Sequence, residues 1–280
     1  MAVTPSPFRS DLLAGKGAVV TGGGTGIGRA VAEDMLRHGA RVAIASRNLE
    51  RLEETARELS ALGEIFPLAC DIADDKQVKT LAAAAQERLG RVDILINNAA
   101  ANFIRPSEAL SPVRWRKIVD IVLNGTFYCS LEFGRRMLEQ GSGRIVSIVA
   151  AYAWTGAPGL LPSAAAKAGV VAMTRTLGAE WARRGVLVNA IAPGPIDVPR
   201  TREHLWPTPE MRAKVLSSIP LDRFGSEQDV SSLVLFLASD LGRNIAGEVI
   251  VSDGGQSLGR GALDMLSALR SVRAKPEKAP

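Results

Sequence analysis

Seven short apolar runs, separated by segments of helical periodicity, constrain the fold of this chain more than any other feature. The runs are 17–22 (GAVVTG), 41–46 (RVAIAS), 65–70 (IFPLAC), 92–96 (VDILI), 144–149 (RIVSIV), 186–191 (VLVNAI) and 248–251 (EVIV). Both faces of each are apolar and β-branched residues are common, as in strands covered on both sides. Helical patterns occupy 26–38, 48–62, 74–89, 111–140, 163–184 and 226–238. Parallel neighbours need crossover helices. The pattern therefore predicts one α/β domain, a single doubly wound, Rossmann-like seven-stranded parallel sheet with helices on both faces. Its expected span is 15–256, after an N-terminal arm at 1–14 and before a C-terminal extension at 257–280 with a frayed end. Pro199, Pro207, Pro209 and Pro220 punctuate 197–224, which is expected to form short helices and loop as a substrate lid.

Composition excludes several classes of function. A hydrophobic content of 46% over 280 residues is ample for a full core. No apolar run reaches the roughly 18–20 residues of a membrane span. Met1–Lys16 lacks a charged-then-apolar signal pattern, and the final "KAP" is not a peroxisomal address of the S-K-L type, so a cytoplasmic protein is expected. Cys70 and Cys129 are too few for a disulfide framework and too isolated for a metal cluster; buried thiols are expected. His38 and His204 have no metal-ligand partner at useful spacing, so no metal is expected. The net charge of +5 does not mark a nucleic-acid surface, because Arg47, Glu50, Arg51, Glu53, Glu54, Arg57 and Glu58 alternate in sign as on a solvated helix. A late basic excess, Arg260, Arg270, Arg273, Lys275 and Lys278, reads as a solvated tail, with capture of a phosphate-bearing substrate as an alternative.

In a doubly wound sheet, ligands bind beyond the carboxyl ends of the strands, where the winding direction reverses. The end of the first strand reads "TGGGTGIG", Thr21 to Gly28. Gly22 permits a tight turn, Gly26 lets backbone amides approach a pyrophosphate, and Gly28 lets the next helix pack closely against the strand. Gly24, Thr25 and Ile27 complete this expected dinucleotide cradle. An acidic residue after the second strand would hold the ribose hydroxyls of NAD; the chain has Ser46, Arg47 and Asn48 there. Arg47 offers a donor fork to a 2′-phosphate, which favours NADP(H). Asp71, followed by Ile72, is placed either to reach the adenine edge or to cap the next helix.

Together "TGGGTGIG", "NNAA" (97–100), "VLNGT" (122–126), the lysine of "AAAKAG" (164–169), "NAIAPGPI" (189–196) and "SDGG" (252–255) resemble the short-chain dehydrogenase/reductase family over 15–256. The resemblance implies an extended Rossmann domain in which an asparagine, a serine, a tyrosine and a lysine serve hydride transfer. It adds Asn98, Ala99, Lys167, Pro193, Gly194 and Ile196 to the expected cofactor-binding set. Asn124 matches the family's asparagine and Lys167 its lysine, but Ala150 stands at the serine position and Ser163 at the tyrosine position. Alcohol–ketone chemistry needs a phenol, since a serine hydroxyl is far too weak an acid. Only Tyr128 and Tyr152 are available. Tyr128 lies mid-helix and is expected to be packed there. Tyr152 follows the fifth strand in "VAAYAWTG", where it can face the site from the strand side while Ser163 faces it from the helix side.

This rearrangement resembles the NADPH-dependent 2,4-dienoyl-CoA reductase branch, which "INNAAANFIRPSEALSP" (96–112), "DIVLNGT" (120–126), "LPSAAAKAG" (161–169) and "PGPI" (193–196) also match. The branch implies that Tyr152, Asn102, Ser163 and Lys167 form the working set, with Phe103 and Pro195 beside the substrate. Tyr152 and Asn102 would hydrogen-bond the thioester oxygen, Lys167 would hold the nicotinamide ribose, and Ser163 would orient the network. From the residues alone, Asn102 is equally read as a turn cap and Ser163 as the N-cap of the helix carrying Lys167. Trp154, Leu160, Leu161, Leu205 and Trp206 are candidates for an apolar acyl channel, and Arg105, Arg200 and Arg260 for the CoA phosphates. Reduction of a 2-enoyl-CoA or another acyl-CoA or carbonyl substrate, and a catalytically silent NADP-binding sensor or scaffold, are the alternatives. Apolar stripes on 111–140 and 163–184, with the resemblance, imply a homotetramer.

Overall fold

The structure, a computed structural model, describes residues 6–259. The first five residues, the basic tail from Arg260 onward and most of the expected C-terminal extension therefore lie outside the described residues. Seven strands form one parallel sheet: β1 (Gly17–Thr21), β2 (Arg41–Ser46), β3 (Ile65–Ala69), β4 (Ile94–Asn97), β5 (Gly143–Ile148), β6 (Val186–Pro193) and β7 (Val249–Ser252). Their order is β3-β2-β1-β4-β5-β6-β7, so the winding reverses between β1 and β4. The expected single doubly wound sheet is the observed fold.

Among the described residues, nine α-helices pack on the sheet or beside it: α1 (Gly26–Arg37), α2 (Leu49–Leu59), α3 (Asp75–Leu89), α4 (Pro112–Val119), α5 (Gly125–Gln140), α6 (Leu161–Trp181), α7 (Pro199–Leu205), α8 (Pro209–Leu216) and α9 (Glu227–Ala238). Alternate strand residues feed two apolar layers, as the period of two in a strand requires. Ala18 and Val20 of β1 join Val31 and Met35 of α1 and Val234 and Leu235 of α9. Val19 joins Leu81 of α3, Phe133 and Met137 of α5 and Trp181 at the end of α6. Each fully buried Leu, Ile or Phe side chain in these layers contributes about 2 kcal/mol. Helix starts are set by local chemistry. Asn48, Asp74, Ser111, Thr208 and Ser226 accept backbone N–H bonds at the first turns of α2, α3, α4, α8 and α9.

Three boundaries differ from expectation. The pattern at 111–140 predicts one helix, but a π-helical turn, Asp120–Asn124, separates α4 from α5. Such a turn inserts one residue without disturbing the apolar spacing on either side, so periodicity does not reveal it. Helix α6 begins at Leu161, with Pro162 in its first turn, so Ser163 is inside the helix and does not cap it. The cap of α3 is Asp74; Asp71 accepts instead from the backbone N–H of Ala73 at 3.1 Å, a local turn.

Candidate active site

The segments that leave β1, β2, β3, β4, β5 and β6 at their carboxyl ends share one edge of the sheet. Glycines dictate the shape at β1. A Cβ on Gly28 would lie 2.2 Å from the Gly22 carbonyl oxygen, so only hydrogen fits where α1 meets the strand. Gly26 has φ +52° and nothing within 4 Å of where a Cβ would be, so the outer side of the turn is open. Thr25 precedes α1 without making a side-chain cap, in contrast to the caps of α2, α3 and α4. The first amides of α1 therefore keep their donors for an anion, as a pyrophosphate site requires. The loop is braced from β4. Thr21 Oγ1 accepts from Asn98 N at 3.0 Å and Ala99 N at 3.1 Å, while Asn98 Nδ2 donates to Thr21 O at 2.9 Å and Gly22 O at 3.3 Å. Asn98 thus props the loop through its amide.

At the end of β2, Ser46 Oγ donates to Asn48 O at 3.3 Å and Asn48 Oδ1 accepts from Arg51 N at 3.0 Å. Arg47 is exposed and belongs to none of the ion pairs among the described residues. Arg51 adds something the sequence reading passed over. Its Cγ lies 3.3 Å from where a Cβ on Gly24 would be, so its stem crosses the glycine turn, and its head pairs with Glu54 at 2.6 Å. Ile72 packs against Gly125 at the start of α5, where a Cβ would meet its Cδ1 at 2.8 Å. Beyond β6, Gly194 N donates to Ser252 O at 3.0 Å, and Ile196 bridges to Gly225.

The reactive groups come from three elements. After β5, the chain turns at Ala150, where Ala153 N donates to Ala150 O at 2.9 Å. This turn folds Tyr152 back toward the start of α6. Its hydroxyl lies 3.0 Å from Ser163 Oγ, and Ser163 is only 2% exposed. Burial pushes the phenol above its ordinary range, with the Ser163 hydrogen bond acting in the opposite direction. Tyr152 is therefore a neutral donor, not a ready base. One turn along α6, Lys167 is buried and its Nζ donates to the Ile148 carbonyl at the end of β5. Burial lowers its pKa to about 8. From the β4–α4 loop, Asn102 Oδ1 accepts from Phe103 N at 2.9 Å, which leaves its NH₂ free to donate. The side chain of Asn102 therefore caps the backbone at Phe103. Phe103 packs against the cluster of Ile118, Val122 and Ala166, next to Lys167.

Asn124 is engaged within its own helical segment. Its Nδ2 donates to Asp120 Oδ1 at 2.8 Å, one turn back in the π-helical segment, while Val122 and Leu123 of that segment pack toward α6. Tyr128 packs in the apolar layer under α5, as expected. His38 is buried at the end of α1 with Nδ1 2.6 Å from Asp34 O. Both cysteines are buried.

Within the segment 197–224, two arginines converge on one carboxylate. Asp197, following Ile196, receives Arg212 Nη1 at 2.6 Å and Nη2 at 2.7 Å, and Arg202 Nε at 2.6 Å. The Arg212 guanidinium, then that of Arg202, hold the Asp197 carboxyl well below the usual carboxylate range. Arg212 also lies over the Phe224 ring at 4.5 Å, and Phe224 packs on Trp206 at 5.4 Å between ring centroids. Of the apolar-channel candidates, Trp154 and Leu161 are exposed, whereas Trp206 is buried in the lid.

A glycine cradle at the switch point, a buried lysine beyond β5 and a neutral phenol define a dinucleotide-dependent redox site. Comparison with known proteins agrees. The family model described as enoyl-(acyl carrier protein) reductase matches residues 22–257. A Bacillus subtilis (strain 168) protein named as a (2E)-enoyl-CoA-producing 2,4-dienoyl-CoA reductase is 41% identical over 87% of this chain and 97% of its own length. A Danio rerio protein named as a peroxisomal, (3E)-enoyl-CoA-producing 2,4-dienoyl-CoA reductase is 40% identical over 89% of this chain and 83% of its own. A crystal structure from Beutenbergia cavernae, described as an NAD(P)-dependent gluconate 5-dehydrogenase with NADP at low occupancy, superposes with a TM-score of 0.84. That chain is 37% identical, over 89% of this one and 99% of its own. The chain belongs to the short-chain dehydrogenase/reductase family and is an oxidoreductase. Among the described residues no helix is long and apolar enough to cross a membrane.

Proposed function

We propose that the chain reduces 2,4-dienoyl-CoA thioesters to 3-enoyl-CoA with NADPH, as an auxiliary step of fatty-acid β-oxidation in the cytoplasm. The observation that carries the reading is the contact of Tyr152 with Ser163, which supports a phenol working from the strand side where the helix offers only a serine. When bound, the nicotinamide supplies the hydride, which goes to the δ-carbon of the dienoyl group. The chain's residues handle the charge that then spreads to the thioester oxygen. Tyr152 donates its hydroxyl proton in a hydrogen bond to that oxygen, and Ser163 donates to the phenol, which strengthens the phenol as a donor. The free NH₂ of Asn102 is the second donor. Two such donors are worth several kcal/mol each when charge develops between them. A proton from water at the α-carbon completes the 3-enoyl product. Lys167 holds the ribose hydroxyls, and Asn124, engaged with Asp120, supports the helix turn.

For the cofactor, Arg47 with Arg51 over the glycine turn and no carboxylate at the end of β2 favour a 2′-phosphate. Thr21, Gly22, Gly24, Thr25, Gly26, Ile27, Gly28, Asp71, Ile72, Asn98, Ala99, Pro193, Gly194 and Ile196 line the rest of the path. The relatives differ in the double-bond position they are named for. The phenol being present in the site argues against a silent sensor.

Mixing the protein with NADPH and a 2,4-dienoyl-CoA, a 2-enoyl-CoA or a ketoacyl-CoA, and following the loss of reduced cofactor, tests the reading. Turnover is expected with the dienoyl ester. Tyr152→Phe should lower that turnover by about a hundredfold or more while NADPH still binds. Full activity in this variant, or turnover with the 2-enoyl ester alone, would refute the proposal.

A further inference from the structure

The rim of the site beside Asn102 carries charge that the proposed chemistry does not use. Arg105, Arg114, Arg116 and Lys117 are all exposed, and none takes part in the ion pairs found among the described residues. Other surface arginines, among them Arg29, Arg37, Arg51, Arg202, Arg212 and Arg223, are paired with carboxylates. The Arg114 guanidinium has a seat, and the backbone of Arg105 is anchored. Arg114 lies over the Phe103 ring, its guanidinium carbon 5.6 Å from the centroid. Arg105 donates its backbone N–H to Gly159 O at 2.9 Å, and the neighbouring Ile104 side chain sits against Gly159, where a Cβ would be 3.0 Å from its Cγ2. The loop after β4 is thus stitched to the loop after Tyr152, with cations on its outer side. Exposed Ile104, Trp154 and Leu161, at 49%, 45% and 44%, form an apolar collar around the stitch.

We propose that Arg105 and Arg114 form the phosphate site for the 3′-phospho-ADP head of the acyl-CoA substrate. This assignment rests on the acyl-CoA reading above. Guanidiniums match phosphate oxygens in a bidentate way, and a guanidinium already seated on an aromatic ring loses less freedom on binding. The placement also suits the substrate's shape. The thioester must reach Asn102 and Tyr152, and a flexible pantetheine arm then leads the phosphates outward over the collar to the rim. The rim holds only one carboxylate, Glu108, which is exposed and likewise in no ion pair among the described residues, so the patch keeps a net positive field toward an incoming anion.

The test compares dienoyl-CoA with the dienoyl ester of pantetheine, which lacks the phosphates. The wild type is expected to show a KM for the CoA ester at least about tenfold lower, a ratio that Arg105→Gln combined with Arg114→Gln should bring close to one. The advantage of the CoA ester should also shrink as salt rises. An unchanged KM ratio in the double variant overturns the proposal. So does a wild-type preference for an acyl-carrier-protein thioester that the double variant loses, since that assigns the patch to an acidic protein. If no dienoyl thioester is turned over, the catalytic reading fails and a separate measurement decides this one. Titrating 3′,5′-ADP into protein saturated with NADPH should give binding in the wild type that is at least about tenfold weaker in the double variant; equal binding overturns the site.

Discussion

A lysine whose ammonium is buried and faces a backbone carbonyl gives up its proton more readily than one in water, because burial penalises the charged form. Lys167, with its pKa brought down from 10.5 to about 8, is such a group. Between these values the unfolded chain binds more protons than the folded one, so stability rises with pH across the window. Thermal unfolding from pH 7.5 to 9.5 should show this rise in the wild type relative to Lys167→Met, and parallel curves would contradict it. Cofactor affinity should run the other way, weakening as pH climbs through about 8, since the charged ammonium is the proposed ribose donor. Arg47 is the complementary case, an exposed cation with no partner in the structure's ion pairs. Arg47→Ala should weaken NADPH binding by about tenfold, as the loss of one charged hydrogen bond does, and leave NADH binding as it was. Fluorescence titration with both cofactors checks it. At this scale the sequence is informative wherever a residue's chemistry and its neighbours in the chain suffice. The glycines of "TGGGTGIG", the buried lysine and the approach of Tyr152 to Ser163 are legible that way. The partner of Asn124 is not, because Asp120 reaches it only through a π-helical turn that periodicity conceals. Arg51 escapes for a similar reason: its stem crosses Gly24 by tertiary approach, not by spacing.

Among the elements, the segment 197–224, the proposed lid, is held by charge and stacking. Asp197, Arg202 and Arg212 tie the start of the excursion to α7 and α8, and Arg212 then stacks on Phe224 where the chain returns. Two guanidiniums share one carboxylate, so removing its charge leaves both without a partner. Asp197→Asn is expected to raise KM for the acyl thioester several-fold with little change in NADPH affinity, and to speed proteolytic cleavage within 197–224. Equal KM and equal cleavage in wild type and variant would show that the cluster does not hold the lid. The prolines of this stretch forecast its short helices, since Pro199 and Pro209 sit in the first turns of α7 and α8. They carry no information about which charges meet. That depends on Gly225 and Ile196 pairing across the base of the lid, a contact between residues far apart in the chain.

On the scale of the whole molecule, the sheet order determines which loops become neighbours. The reversal between β1 and β4 brings the glycine turn beside Asn98, and the adjacency of β4 and β5 brings the loop after β4 against the loop after β5. The outer helices are less settled by the monomer. Val113 and Trp115 of α4, Phe127 of α5 and Leu161 of α6 are apolar and exposed, at 66%, 36%, 44% and 44%. A face of this kind suits the proposed tetramer built on these helices. Sedimentation should give four subunits for the wild type and a smaller species for Phe127→Glu; a monomer in both would remove the assembly. The single backbone bond from Arg105 to Gly159 has a broader meaning for how such a protein adapts. It yokes the segment bearing the amide donor to the segment bearing the phenol, so neither can be re-angled alone. Under the proposed reaction, changes in acyl preference are therefore expected in the proline-rich segment 197–224, while the two proposed donors stay in register.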